Sequence, residues 1–392
     1  ARVHSLGDTM TFDGTKLRAI REEFPVLASS IYLNTNSTGA FPRAAKEALE
    51  GFGALLGSWR DELWKERFFG DLAAHADALA ELVGGEKGSV VTDANVATLL
   101  GRVVSCFAFE DRPKLVTTTL DFPTAPFLFQ GFARYGAEPV VVPSRDGVRV
   151  DTEGLLRAID ERTRLVCIPH ATPGTGALVD LGAVVARARE VGALVAVDAF
   201  ATVGAVPIDA RALDLDFVLG GSHKFLCGLG AAFLYVKPKL LPELRPAVTG
   251  WMGTEDPLAF GDALTHATGT RRFLAGTPSV IGALVSRPGL AMVRELGVDA
   301  IRARSTALTG RVIARAKEAK IDVKTPERPE ERGAIACLSF PGDAAVHKEL
   351  LARNMVTSYR GLIRVAPHFY TTDEELETFM DTLVELARKA RA

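Results

Sequence analysis

Leu194-Val-Ala-Val-Asp198 and Phe217-Val-Leu-Gly-Gly-Ser-His-Lys224-Phe-Leu-Cys-Gly-Leu-Gly230 decide how this chain folds. Each opens with a continuous apolar run of strand length and leads into a polar, reactive residue. A strand covered on both faces reads this way, and parallel strands of that kind end together at the edge where open α/β sheets bind ligands. Outward from this pair the texture repeats in Val90-Val91-Thr92, Leu115 to Thr118, Val140 to Val142, Leu165 to Ile168 and Ala232 to Val236. Helix-length amphipathic stretches separate these runs. The alternation predicts an α/β fold, a mostly parallel sheet sandwiched by helices.

After about residue 270 the pattern changes. Helical spacing over Pro288 to Leu296 and Asp299 to Lys320 gives way to strand-like Ala334 to Phe340 and Ile363 to Ala366. A final helix is marked by Thr372 three residues before Glu375, a capping-box pattern, and by Arg388, Lys389 and Arg391 at its end. We therefore expect a large ligand-binding domain over 36–270 and a smaller α+β domain over 271–392. Residues 1–35, with Leu17 to Phe24 helical and Ile31 to Leu33 extended, are expected to form a segment packing on the small domain. The residues before Met10 are read as a leader and left out of the functional reading.

Length and charge narrow the field. A chain of 392 residues buries a large core without disulfides or metals. Its 46 basic and 48 acidic side chains are spread along the sequence, so no basic stripe recruits nucleic acid. No run approaches the roughly 18 apolar residues of a membrane span, and the N-terminus lacks an apolar signal core. A soluble, cytoplasmic protein with no membrane partner is expected. The cysteines at 106, 167, 227 and 337 make no CxxC or metal-like spacing, which points to a reducing compartment and no metal site.

A carboxylate closing an apolar strand, as Asp198 does, needs a cation. A glycine-flanked lysine followed by Phe225-Leu226 sits where burial lowers its pKa toward nucleophilic use. These are the two groups that pyridoxal 5'-phosphate chemistry requires: a lysine for the Schiff base and an aspartate that keeps the ring nitrogen protonated. Singly, each has an ordinary alternative, a helix cap for the aspartate and a solvated charge for the lysine. Together, in these strand contexts, they make the chain resemble the class V aminotransferase branch of the fold-type I pyridoxal-phosphate enzymes, and within it the kynureninase-like proteins. The resemblance runs from about Phe24 to Glu375. It is carried also by Tyr32-Leu-Asn-Thr-Asn-Ser-Thr-Gly39, Asp121-Phe-Pro-Thr124, Gly204-Ala-Val-Pro-Ile-Asp209, Gly250-Trp-Met-Gly253, Arg272-Phe-Leu-Ala-Gly-Thr-Pro278 and Ile363-Arg-Val-Ala-Pro-His-Phe-Tyr370.

The resemblance implies that Lys224 carries the cofactor and Asp198 pairs with its ring nitrogen. Phe122 corresponds to the residue that stacks on the ring, its alternative being a core aromatic. Thr124 belongs to the same cofactor-binding turn. Backbone amides at Asn95 and Val96, at a helix start, would meet the phosphate, unless Asn95 is a plain cap. His223 resembles a phosphate-contacting position, and Trp251 and Thr277 match residues that reach the phosphate from a neighbouring subunit, so a homodimer with shared sites is implied. Arg364 corresponds to the arginine that grips a substrate α-carboxylate through two parallel bonds. Two roles stand open for Asn36: lining the substrate side, or supporting positive-φ geometry in its turn.

Three positions depart from the kynureninase pattern. Kynureninases usually carry Asp at Ala125, His at Ala201 and Tyr at His223, although His223 can serve as a substitute acid/base. Desulfuration through a persulfide is disfavoured because the last cysteine, Cys337, lies inside an apolar strand pattern, and Cys227 reads as packing. The resemblance thus implies hydrolysis of L-kynurenine or a related aryl-keto amino acid to an aromatic acid and alanine. Alternatives are a class V aminotransferase, a C–S lyase on a cysteine-type substrate, and a cofactor-holding relative without turnover.

Overall fold

A computed structural model describes residues 14–391. The leader expected before Met10 lies outside the described residues. In chain order the strands are β1 (Ile31–Tyr32), β2 (Val90–Asp93), β3 (Lys114–Thr118), β4 (Glu138–Val142), β5 (Thr163–Pro169), β6 (Leu194–Asp198) and β7 (Phe217–Gly221). There follow β8 (Ala232–Val236), β9 (Asp322–Val323), β10 (Ala336–Ser339), β11 (Met355–Val356), β12 (Ser358–Tyr359) and β13 (Ile363–Val365).

The expected sheet is present, in the order β2-β8-β7-β6-β5-β3-β4. All its strands run parallel except β8, which is antiparallel to both β7 and β2. Register aligns Pro169 of β5 with Asp198, and Asp198 with Leu219 of β7, so three neighbouring strands deliver their carboxyl ends to one edge. Helices cover both faces, as the apolar runs required. One face packs Leu79, Val184, Ala188 and Val293 against Val166, Val195 and Val218. The other packs Leu99, Val103 and Phe129 against Leu115, Ala196 and Phe217. Each of these valines, leucines and phenylalanines contributes about 1.5–3 kcal/mol by leaving water, which makes this double-sided core the main source of stability.

A smaller sheet, β12-β13-β10-β9, is antiparallel throughout and packs under helices Val298–Glu318, Asp343–Ala352 and Asp373–Arg391. The capping box forms as its spacing predicted. The Thr372 amide donates to Glu375 Oε2 at 3.0 Å, and the Glu375 amide donates to Thr372 Oγ1 at 3.1 Å. The same Glu375 carboxylate binds Arg21 at 2.6 Å, Phe24 packs 5.1 Å from Tyr370, and β1 pairs with β11. The first helix spans Gly14–Glu22, shifted toward the N-terminus from the expected Leu17 to Phe24.

One element differs more. The helix expected from Pro288 begins at Val280 and carries Pro288 inside it. An interior proline costs about 3 kcal/mol. What offsets it is close packing: Gly282 and Gly289 lie so near the backbone of Leu226–Gly230 that a Cβ on either would overlap a carbonyl oxygen there. Ten of this helix's residues are buried, including Leu284, Leu290 and Val293.

Candidate active site

The site is built from the two sheet strands that the sequence singled out. β6 ends at Asp198, and β7 ends at Gly221 before the turn Ser222-His223-Lys224. That turn is pinned from several sides. The Ser222 amide and hydroxyl both donate to the Ala231 carbonyl at 2.9 Å, and the Gly228 amide donates to the Ser222 carbonyl at 2.8 Å. The Gly39 amide donates to the His223 carbonyl at 2.8 Å. Cys227 takes φ 52°, an unusual conformation for a side-chain-bearing residue, and closes the turn by donating its amide to the Lys224 carbonyl at 3.1 Å. The lysine backbone is therefore fixed while its side chain reaches into open space.

That space is a cavity of about 290 Å³, walled by Asp198, Lys224, His223, Phe200, Phe122 and Arg364 among others. Lys224 Nζ stands 5.0 Å from the Phe200 ring centroid. Burial, helped by the positive charges of Arg364 and Arg360, lowers its pKa to about 8 against the pull of Asp198. Asp198 shifts the other way: burial raises it, while the Phe200 amide at 2.9 Å and the nearby lysine hold it down. The His223 ring lies 4.7 Å from Phe200, and burial, with Lys224 close by, keeps it below its ordinary pKa.

Arg364 comes from β13, opposite Cys337 of β10, and is 4% exposed. One terminal nitrogen donates to the Pro173 carbonyl at 3.1 Å, but its buried Nε has no partner, and no carboxylate among the described residues pairs with it. A buried guanidinium without an anion is costly, so this cavity is prepared for one. The N-terminus of helix Val96–Val104 opens on the same space, with amides that have no acceptor in their own helix. Asn36, Asn95, Val96, Thr124 and Ala201 also line the cavity.

Most of the residues expected at a site are thus brought together, with four refinements. Asn95 does cap its helix, its Oδ1 accepting from the Thr98 amide at 2.8 Å, so the free donors there are backbone amides. Asn36 is not among the positive-φ residues; its Nδ2 donates to Ser358 Oγ at 3.2 Å at the cavity wall. Trp251 and Thr277 do not line the cavity of this single chain: Trp251 stacks on Phe260 at 6.1 Å and Thr277 is exposed. Ala125 is buried in helix Thr124–Phe132, away from the cavity wall that Ala201 lines.

The sequence reading passed over Phe200 and Arg360. The only signal for Phe200 was its place two residues after a strand-end aspartate; Arg360, exposed in a turn, had none. None of the four cysteines lines the cavity. Cys337 Sγ donates to the Gly174 carbonyl at 3.1 Å, and burial pushes its thiol up to about 12.

Comparison with known proteins fits this geometry. A family model described as Aminotransferase class-V matches residues 91–379. The chain is 28% identical over 368 residues to the uncharacterized aminotransferase YcbU of Bacillus subtilis (strain 168), covering 93% of this chain and 96% of that protein. It is 29% identical over 392 residues to a kynureninase of Burkholderia pseudomallei (strain K96243), covering 94% and 92% respectively. Among solved structures it matches a cysteine desulfurase from Thermococcus onnurineus NA1 with a TM-score of 0.83 and 20% identity, over 95% of this chain and 98% of that one. The cystine C–S lyase C-DES in complex with cysteine persulfide gives 0.83 and 20%, over 92% and 99%. At such identities the structures speak to the fold.

Proposed function

The chain belongs to the aminotransferase class-V family and is a pyridoxal 5'-phosphate enzyme of fold type I; on that premise we propose that it hydrolyses an aryl-keto amino acid in the manner of a kynureninase. The observation that carries the reading is one cavity holding a lysine amine at about 8, a strand-end aspartate and a buried arginine without an anion.

The residues present suit the cofactor. Lys224 would hold its carbonyl carbon, Asp198 its ring nitrogen and Phe122 a ring face, while the Asn95 and Val96 amides, Thr124 and His223 would meet the phosphate. When bound, the cofactor supplies an electron sink for the pair left at Cα as one of its bonds breaks. The chain's own residues do the rest. Arg364 grips the α-carboxylate with two parallel donors and so sets which Cα bond breaks. Lys224 Nζ, once free and unprotonated, takes the Cα proton; a base with a pKa near the working pH is the effective one. Turned from the phosphate toward the substrate, an imidazole nitrogen of His223, its pKa held below the ordinary value by burial, would move a proton to or from the side-chain carbonyl that water attacks.

Kynureninase at 29% identity over 94% of the chain supports the hydrolytic reading. The YcbU likeness supports a second one, class V amino transfer. The test is purified protein with added cofactor and L-kynurenine, followed by anthranilate and alanine. No anthranilate overturns the hydrolytic assignment, and ketoacid-dependent amino transfer would establish the second. Pyruvate from cystine would point to C–S lysis. Absence of any substrate-dependent turnover would leave a cofactor-holding relative, to which Ala125 and Ala201 lend weight.

The proposal extends to assembly. Residues 36–270 form the cofactor-binding domain and 271–392 the small domain, with 1–35 packing on the latter. Trp251 and Thr277, which do not line the cavity of their own chain, serve the cofactor phosphate of a second subunit in a homodimer. Exposed Trp251, Leu258, Phe260 and Leu264 support such an interface. A sedimentation experiment showing only monomer would remove it. Four free cysteines suit a cytoplasmic location, and no helix among the described residues is long and apolar enough to cross a membrane.

A further inference from the structure

Arg360 opens the turn between β12 and β13, where Gly361 takes φ 74°, and Arg364 follows within β13. Both line the main cavity, and both also line a side cavity of about 200 Å³ beyond Phe122, walled by Thr119, Asp121 and Thr172 to Thr175. The Arg360 guanidinium sits over the Phe122 ring at 5.6 Å. Among the described residues it has no ion pair and no hydrogen-bond acceptor. Other exposed arginines of the C-terminal region do: Arg353 binds Glu349 at 2.8 Å and Arg328 binds Glu330 at 2.7 Å.

The charges around this turn do not balance. Lys224, Arg360 and Arg364 face the cavity against Asp198, and Arg360 depresses the pKa of both other cations. Asp121, the carboxyl of the side cavity, is already engaged by Thr117 Oγ1 at 2.6 Å, the Thr118 amide at 2.8 Å and Thr118 Oγ1 at 3.1 Å. It answers none of them. A substrate α-carboxylate satisfies Arg364, and the cofactor phosphate is assigned to the helix N-terminus, which leaves Arg360 without an anion.

We infer that Arg360 is a specificity residue that takes a second carboxylate, carried on the side chain of the amino-acid substrate and lodged beside Phe122. The inference rests on the proposed reading of the cavity as the amino-acid site, and within the aryl-keto amino acids it favours those that also bear a carboxylate on the side chain, L-kynurenine being the neutral and more weakly held member. The planar fork of a guanidinium matches a carboxylate, whereas a neutral side chain would desolvate it without recompense. Discrimination therefore favours an acidic side chain over the neutral one of L-kynurenine, as a lower KM for the acidic substrate and not as exclusion of the neutral one.

Calorimetric titration of the holoenzyme with glutarate, which has two carboxylates, and butyrate, which has one, tests it without turnover. Glutarate should bind at least tenfold more tightly. R360Q should bring glutarate down to the butyrate value, R360K should restore part of the preference, and R364Q should weaken both acids. Equal affinities in the unaltered protein overturn the inference. So does an R360Q variant that weakens butyrate and cofactor as much as glutarate, since that is what a residue merely holding Phe122 in place would do. If butyrate binds and glutarate gains nothing, only the role of Arg360 falls. If neither acid binds and borohydride fixes the cofactor to a residue other than Lys224, the reading of the cavity falls with it.

Discussion

Gly39 presses against Lys224: a Cβ placed on Gly39 would overlap the lysine's carbonyl oxygen, and the Gly39 amide donates to the adjacent His223 carbonyl at 2.8 Å. A turn from the first forty residues thus sets the backbone of a lysine far along the chain. Gly39→Ala should push that backbone outward, costing about 1–3 kcal/mol as overpacking and weakening cofactor capture. Gly51→Ala, in open space on helix Arg43–Leu55, should instead be neutral or stabilising. Thermal melts and cofactor titrations of the two variants check this; equal behaviour would mean the Gly39 contact does not position Lys224.

The depressed lysine gives a pH signature. With a pKa of about 8, Lys224 becomes a free amine well below the range of an ordinary lysine, so the rate at which apoprotein captures cofactor should rise with pH around 8. Asp198 raises that pKa and Arg364 lowers it. Asp198→Asn should therefore shift the midpoint down, and Arg364→Gln should shift it up. Stopped-flow capture rates across pH 6–10 measure both, and a midpoint near about 10.4 would show the amine to be unperturbed.

Arg364→Lys keeps a positive charge and loses the fork. Loss of one charge-assisted bond of the fork is worth about 1.5–3 kcal/mol, or roughly 10- to 150-fold in carboxylate affinity. The KM for the amino-acid substrate should rise by that factor, with cofactor affinity little changed. A KM within twofold of the unaltered enzyme would argue that the α-carboxylate binds elsewhere.

Acid sensitivity has a source remote from the cavity. His75, on helix Phe69–Leu82, is 1% exposed, neither ring nitrogen has a partner among the described residues, and burial lowers its pKa to about 4. Unfolding restores an ordinary value of about 6.5, so the unfolded state binds a proton that the folded state refuses. The stability present above pH 6.5 is lost as pH falls toward 4, by about 2 kcal/mol at pH 5 from this one group. His75→Leu should flatten the acid side of the stability curve, measured by urea melts at pH 7.5 and pH 5. His170 and His368, also buried with pKa values of about 4 and 3, would continue to titrate in the variant. Parallel curves for variant and parent would sink the assignment.

The sheet was legible because its strands are covered on both faces: such strands are continuous apolar runs, and the seven runs read from the sequence are the seven strands of the large sheet. The capping box at Thr372 was legible for a similarly local reason, a side chain bonding an amide three residues away. Pro288 misled because its preference for a first helical turn is a local rule, overridden here by the packing of Gly282 and Gly289 on the Lys224 loop.

What the sequence determined by itself was the class of fold and the candidate pair Asp198 and Lys224, since both follow from short-range pattern: an apolar strand and the polar residue where it leads. Only the tertiary structure decided what surrounds them. Gly39, Arg360 and Arg364 come from distant parts of the chain, and whether an arginine finds a carboxylate or is left facing a cavity depends on contacts that no local pattern encodes. The arginines matter here because their positive charges go unanswered by the carboxylates of the described residues, and that imbalance exists only once the chain has folded.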